Sequence, residues 1–190
     1  MFSRTERLLL RPGWSEDAVA LQAAISDSAV ARNLARVPNP YTIDDAQAYL
    51  AEEWDPGAPR FLIFSRTRGA PRLVGGCGIH QDEANGAPVL GYWIARPFWG
   101  LGFATEAASA VMRIARALGL QRVGASHFVD NPASGRVLAK VGFRPTGRVE
   151  QRFSLGRGGD VTTILFEDSG TTPEPEDPSM ALYHDHAIAA

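Results

Sequence analysis

The chain has 190 residues, 45% hydrophobic and 21% charged, with a formal net charge of −2 and a pI near 6.1. That length suits one domain with a substantial core, and the composition is that of a soluble globular protein. A near-neutral charge gives no support for direct nucleic-acid binding, which wants a basic excess, and no run approaches the roughly 18 apolar residues of a membrane span.

The first residues carry Arg4, Glu6 and Arg7 around three consecutive leucines, which is not a secretion signal, so a cytoplasmic protein is expected. Leu8, Leu9, Leu10 and Arg11 read as a strand, stopped by Pro12 and Gly13. Ser15 suits a helix N-cap, with Glu16 and Asp17 in the first turn, where carboxylates favour the helix dipole. That helix is expected to reach about Ser28, with Ala18, Leu21, Gln22 and Ile25 on one face. Pro38 and Pro40 interrupt, and Thr42 caps another helix, with Asp45 in the capping-box position and Ala46, Tyr49 and Leu50 as its apolar face.

Strands follow. Residues 61–65 are apolar, Arg68 to Pro71 looks like a hairpin turn, and residues 73–79 return, diluted by Gly75, Gly76 and Gly78. Cys77 lies in that run; with one cysteine no intrachain disulfide forms, and a small core residue is the simpler reading than a reactive nucleophile. Asn85-Gly86 marks a turn before a strand over residues 89–95. The pattern then becomes helical, with Ala104, Ala107, Ala108, Val111, Ala115 and Leu118 on one face and Gly119 as the stop. Residues 122–129 alternate as a strand. Asn131 and Pro132 open a helix that Gly142 closes. Phe143 onward is strand again, and residues 161–166 are the last strong β run. The fold class is α+β in a single domain over residues 1–168. Residues 169–190 begin with prolines and acids and read as a disordered tail, where His184 and His186 are solvated rather than metal ligands; no metal site is expected.

The chemistry concentrates between residues 91 and 143. A strand, GYWIA, runs through RPFWGLGFATEA into a helix. Gly100 and Gly102 allow a sharp turn and close ligand approach. The amides of Leu101, Gly102, Phe103, Ala104 and Thr105 then stand at a helix N-terminus, which binds phosphates. A plain glycine turn with no ligand is the alternative. A dinucleotide fingerprint fails, because Thr105 stands where its third glycine belongs and Arg122 where an acid belongs; a Walker loop is absent.

The string Trp99-Gly100-Leu101-Gly102-Phe103-Ala104 resembles the pyrophosphate loop of the GNAT acetyltransferases, with Trp99 in place of their usual Gln or Arg. It is most similar to the ribosomal-protein alanine N-acetyltransferase branch. Asn131, Ser134 and the run Lys140-Val141-Gly142-Phe143 match that branch's second motif, and TERLLLRP at residues 5–12 and the acidic helix start at Asp44-Asp45 also match. The likeness spans about residues 5–167. It implies a mixed, mostly antiparallel sheet flanked by helices, and transfer of an acetyl group from acetyl-coenzyme A to a primary amine of a protein N-terminus or small molecule. It leaves room for a homodimer.

The resemblance also implies roles. The backbone of Trp93, Ile94 and Ala95 would bind the pantetheine arm and the acetyl carbonyl. Asn131, besides capping its helix, would touch the coenzyme, and Lys140 and Arg136 would reach its phosphates. The tyrosine that many family members use to protonate the thiolate is Leu138 here, so Ser134 is the expected proton donor. Relatives often place a Glu before the GYW strand; here Pro88 and Val89 stand there, which leaves His80 as the candidate base, beside a water relay from Asp82, Glu83 or Glu106. The missing Glu and Tyr also admit another reading, a catalytically silent coenzyme A-binding module acting as sensor or partner.

Overall fold

In the computed structural model, residues 1–170 are described, apart from 54, 56, 67, 68, 83 and 84. Ser3–Arg4 (β1) folds back on Leu8–Arg11 (β2), where Leu8 and Leu10 are fully buried in the alternation of a one-sided strand. Helix α1 is Ala18–Ile25, entered through a 3-10 turn at Ser15–Asp17. The expected Ser15 cap is corrected: Trp14 is the capping position, and the Asp17 carboxylate accepts its amide at 2.8 Å while pairing with Arg11. The helix also ends before Ser28. Asp27 accepts the Ala29 amide and starts a separate turn, α2, over Ser28–Ala31. Helix α3, Ile43–Ala51, has the expected box: Asp45 donates its amide to Thr42 Oγ1 at 3.2 Å, and Thr42 returns its own to the Asp45 carboxylate at 2.7 Å.

A meander follows: Arg60–Ser65 (β3), Arg72–Gln81 (β4) and Pro88–Ile94 (β5). The glycines in β4 answer to the neighbouring strand; a Cβ at Gly76 would lie 2.6 Å from Trp93 Nε1. Phe103–Ala117 (α4), Gly124–Phe128 (β6) and Pro132–Val141 (α5) come next, then a long hairpin of Phe143–Ser154 (β7) and Gly159–Asp168 (β8). Strand β6 is shorter than the alternation suggests because Arg122, at φ 55°, turns the chain before it. The sheet order is β1-β2-β3-β4-β5-β6-β8-β7, antiparallel except for β5 and β6.

One core lies beneath α4 and α5, centred on Leu8, Ile63, Val111, Met112 and Leu138; the other lies beneath α1 and α3, around Leu21, Ile25, Ala46 and Leu62. The parallel pair is brief. It joins Val89 to Gly124 and Leu90 to Ala125, and beyond those rungs β5 and β6 part. Glu83, the turn residue Arg68, and the acidic segment with His184 and His186 lie outside the described residues.

Candidate active site

The parting of β5 and β6 opens a cleft of about 1100 Å³. Residues 91–94 and 126–128 form its walls, α4 and α5 present their first turns to it, and residues 33–38 with α3 close its far end.

Helix α4 opens on glycine. Gly100 and Gly102 have φ of 78° and 79°, left-handed values that disfavour side chains, and no side chain caps the helix. The first intrahelical bond runs from the Glu106 amide to Gly102 O at 3.1 Å. The helix itself therefore leaves the amides of residues 103–105 unpaired at the cleft, and a Cβ at Gly100 would meet nothing within 4 Å. Space, bare amides and the helix dipole fit a pyrophosphate. Within the expected loop, the Leu101 carbonyl accepts from Arg7 Nη1 at 2.8 Å, which pins the turn from behind. Phe103 is buried, so the loop offers its amide and keeps its ring in the core.

Main-chain groups alternate in direction along a strand. The Ala95 amide donates to Val74 O on β4 at 2.9 Å, so Trp93 and Ala95 face β4, whereas Tyr92 and Ile94 face the splay. Among the three residues expected to serve the coenzyme arm, Ile94 alone is so aimed. Its carbonyl accepts from Trp99 Nε1 at 2.6 Å, leaving the amide. Trp99 thus fastens the strand end, in the position where the family carries Gln or Arg.

Across the splay, Asn131 accepts the Ser134 amide at 3.4 Å as N-cap of α5. Ser134 Oγ lies 2.8 Å from the Tyr92 hydroxyl, which also reaches the Ser134 carbonyl at 3.0 Å. Leu138 is fully buried and turned into the core. Arg136 and Lys140 are exposed on α5 along the cleft. On the other wall, the register sets His80 directly opposite Val89, the position where the usual Glu is missing. Burial, reinforced by Arg36 and only partly opposed by Asp82, lowers the His80 pKa to about 4, so the ring is neutral at pH 7.

The profile of the acetyltransferase (GNAT) domain matches residues 7–144. The chain belongs to the GNAT acetyltransferase family. It is 35% identical over 153 residues to the uncharacterized N-acetyltransferase YoaA of Bacillus subtilis (strain 168), covering 77% of this chain and 85% of that one. The ribosomal-protein-S5-alanine acetyltransferase of Vibrio fischeri shares the fold at a TM-score of 0.72 and 18% identity, over 88% of this chain and 96% of that one. The microcin C7 self-immunity acetyltransferase MccE, solved with acetyl-CoA and AMP, shares it at 0.70 and 20%, over 86% and 93%. Acetyl transfer from acetyl-coenzyme A is the chemistry of this chain.

Two carboxylates named for a water relay are engaged in this GNAT domain. Glu106 accepts from Thr5, from the Arg7 amide at 2.9 Å and from Arg7 Nε at 2.7 Å. Burial would raise its pKa, but these bonds outweigh it and hold the carboxyl below the ordinary value. Asp82 pairs with Arg152 at 2.8 Å.

Two residues at the splay escaped sequence reasoning. Tyr92 looked like one more strand residue; the alternation that puts it on the face of Leu90 and Ile94 was the available signal. His127 is nearly buried, with Nδ1 2.8 Å from Phe128 O and Nε2 against Gly135 in the first turn of α5. No spacing rule links it to that helix. Among the described residues, no helix is long and apolar enough to cross a membrane.

Proposed function

We propose that this enzyme acetylates a primary amine, at a protein N-terminus or on a small molecule, with Ser134 giving the proton that the departing thiolate needs and His80 receiving one from the amine. The observation that carries this reading is a convergence: the open N-terminus of α4 and the Ser134 hydroxyl line one splay. The amides of residues 101–105 hold the pyrophosphate, Ile94 and Tyr92 offer main-chain groups to the arm, and Asn131, Arg136 and Lys140 follow its length. His80 supports the base role by its register opposite Val89, and as a neutral imidazole it has a lone pair to offer, although burial has made it a weak one. The free, buried Cys77 suits a reducing cytoplasm.

The test is free-thiol release from acetyl-coenzyme A in the presence of two acceptor panels, alanine-initiated peptides and small primary amines. Turnover on one panel assigns the acceptor class. Coenzyme binding with no thiol release on either would replace the enzyme by a silent coenzyme A-binding module. Ser134→Ala should lower kcat by roughly 10²-fold, a usual share for positioned acid catalysis, with little change in KM for acetyl-coenzyme A. If Ser134 only trims the helix, the variant keeps its turnover and loses about 1 kcal/mol of stability.

A further inference from the structure

Tyr92 is the one side chain seen to bridge β5 and α5 at the splay by hydrogen bonds among the described residues. Its phenol has one proton and two neighbours, the Ser134 carbonyl at 3.0 Å and the Ser134 hydroxyl oxygen at 2.8 Å. A hydroxyl can donate once and accept twice, which leaves two arrangements. In one, Tyr92 donates to the carbonyl and Ser134 spends its own proton on the phenol oxygen. In the other, Tyr92 donates to Ser134 Oγ, and the serine proton is released toward the cleft. The Ser134 carbonyl stands in the first turn of α5, where a helix supplies its own donor from four residues on, so the second arrangement leaves no acceptor stranded.

We infer that Tyr92 is a positioning residue that turns the Ser134 proton toward the coenzyme sulfur, using its own O–H as the bond behind it. The inference rests on Ser134 being the donor. It also explains why a serine can stand in for a tyrosine in this fold: the phenol is still present, supplied from the strand instead of the helix. The phenol is mostly buried and packs on the core beneath α4, with the Cys77 thiol of β4 near enough to act on it. Burial keeps that thiol protonated and likewise raises the phenol, so both stay neutral through the working pH range and the serine is the group the phenol can direct.

The experiment needs no acceptor. A thiolate that receives a hydrogen bond in the complex is favoured there, so coenzyme A should bind more tightly as pH rises toward the thiol's own pKa. Acetyl-coenzyme A has no thiol and serves as the control. Calorimetric Kd values are measured for both ligands at about pH 7 and about pH 9.5, and a bound thiol lowered by one pKa unit makes coenzyme A gain up to about tenfold over the control. Wild-type protein should show this gain. Tyr92→Phe and Ser134→Ala should each abolish it while keeping acetyl-coenzyme A affinity, and the double variant should lose nothing more. Tyr92→Met, flexible and without a hydroxyl, stands in if the phenylalanine variant does not fold.

A Tyr92 that merely braces the splay would alter the affinity of both ligands equally and leave the gain intact, which overturns the inference. If Tyr92→Phe keeps the gain and Ser134→Ala loses it, the inference fails and the serine reading survives. If Ser134→Ala keeps the gain and Tyr92→Phe loses it, the phenol itself faces the sulfur and both readings fall, as they do if wild-type protein shows no gain.

Discussion

Gly135 has no side chain because the His127 ring occupies the place where one would go. A Cβ there would lie 2.7 Å from Nε2, and the ring has little room to retreat, since it packs at a tilt against Phe166 with centroids 5.3 Å apart and its Nδ1 is held at Phe128 O. Gly135→Ala should therefore destabilise the fold by about 1–3 kcal/mol, the usual range for an overfilled site, read as a fall in the chemical denaturation midpoint. In a His127→Ala background the same substitution should cost less, because the pair is in direct contact and the two losses do not add. In the sequence Gly135 is an ordinary residue of a helix that already has its caps, and a glycine there looks like a flaw in the α5 pattern. The reason for it sits on another element, where neither helical spacing nor composition reaches.

At the level of elements, the link between β2 and α4 carries the loop. Arg7 precedes β2 and Glu106 sits in the first turn of α4; they pair at 2.7 Å, and the same guanidinium holds Leu101 O and lies over the Phe103 ring at 4.9 Å. Arg7→Met keeps the stem and removes the charge. Its expected effect is on coenzyme binding: KM for acetyl-coenzyme A rises about fivefold, equivalent to roughly 1 kcal/mol, while kcat at saturation holds. A fall in kcat with unchanged KM would show that the strut serves the reaction rather than the loop.

Helices α4 and α5 were legible nearly to the residue, because an amphipathic face, a glycine stop and, in α5, an asparagine cap all agree. The break between α1 and α2 was not, since Asp27 caps a new turn inside a run whose apolar spacing continues across it. In the site, Gly100 and Gly102 announced the phosphate loop locally, within one turn of the chain. The partners Arg7 and Glu106, or Tyr92 and Ser134, are separated by 99 and 42 positions, and only the packed sheet brings them together.

For the molecule as a whole, acid should act in two stages. His80 titrates near 4 in the fold and at 6.5 outside it, so the unfolded chain takes up the extra proton between those values, and stability falls as pH drops through that window. Three ion-paired carboxyls act lower. Asp17 is driven up by burial but more strongly down by Arg11 and the Trp14 amide, Glu106 behaves likewise with Thr5 and Arg7, and Asp130 is held down by Arg157. Their stabilisation is present above their ordinary values of 3.8 and 4.5 and is lost as pH falls through the lower folded ones. Urea midpoints measured from neutral pH downward should show both stages, and His80→Gln should flatten the first and leave the second.

The two rungs between β5 and β6 have a mechanical consequence. They leave a narrow main-chain seam between a five-stranded leaf and a three-stranded one, while the core beneath α4 and α5 runs under both. A linear ligand with amide groups, lying where the rungs stop, would restore the interrupted ladder along the seam. Amide hydrogen exchange should then find the strand edges at the seam less protected than the sheet on either side without ligand. With acetyl-coenzyme A that deficit should close, the gain being greatest at Ile94 and along residues 126–128. Protection that rises at the α4 loop alone would mean that the ligand docks by its phosphates and leaves the seam unbridged.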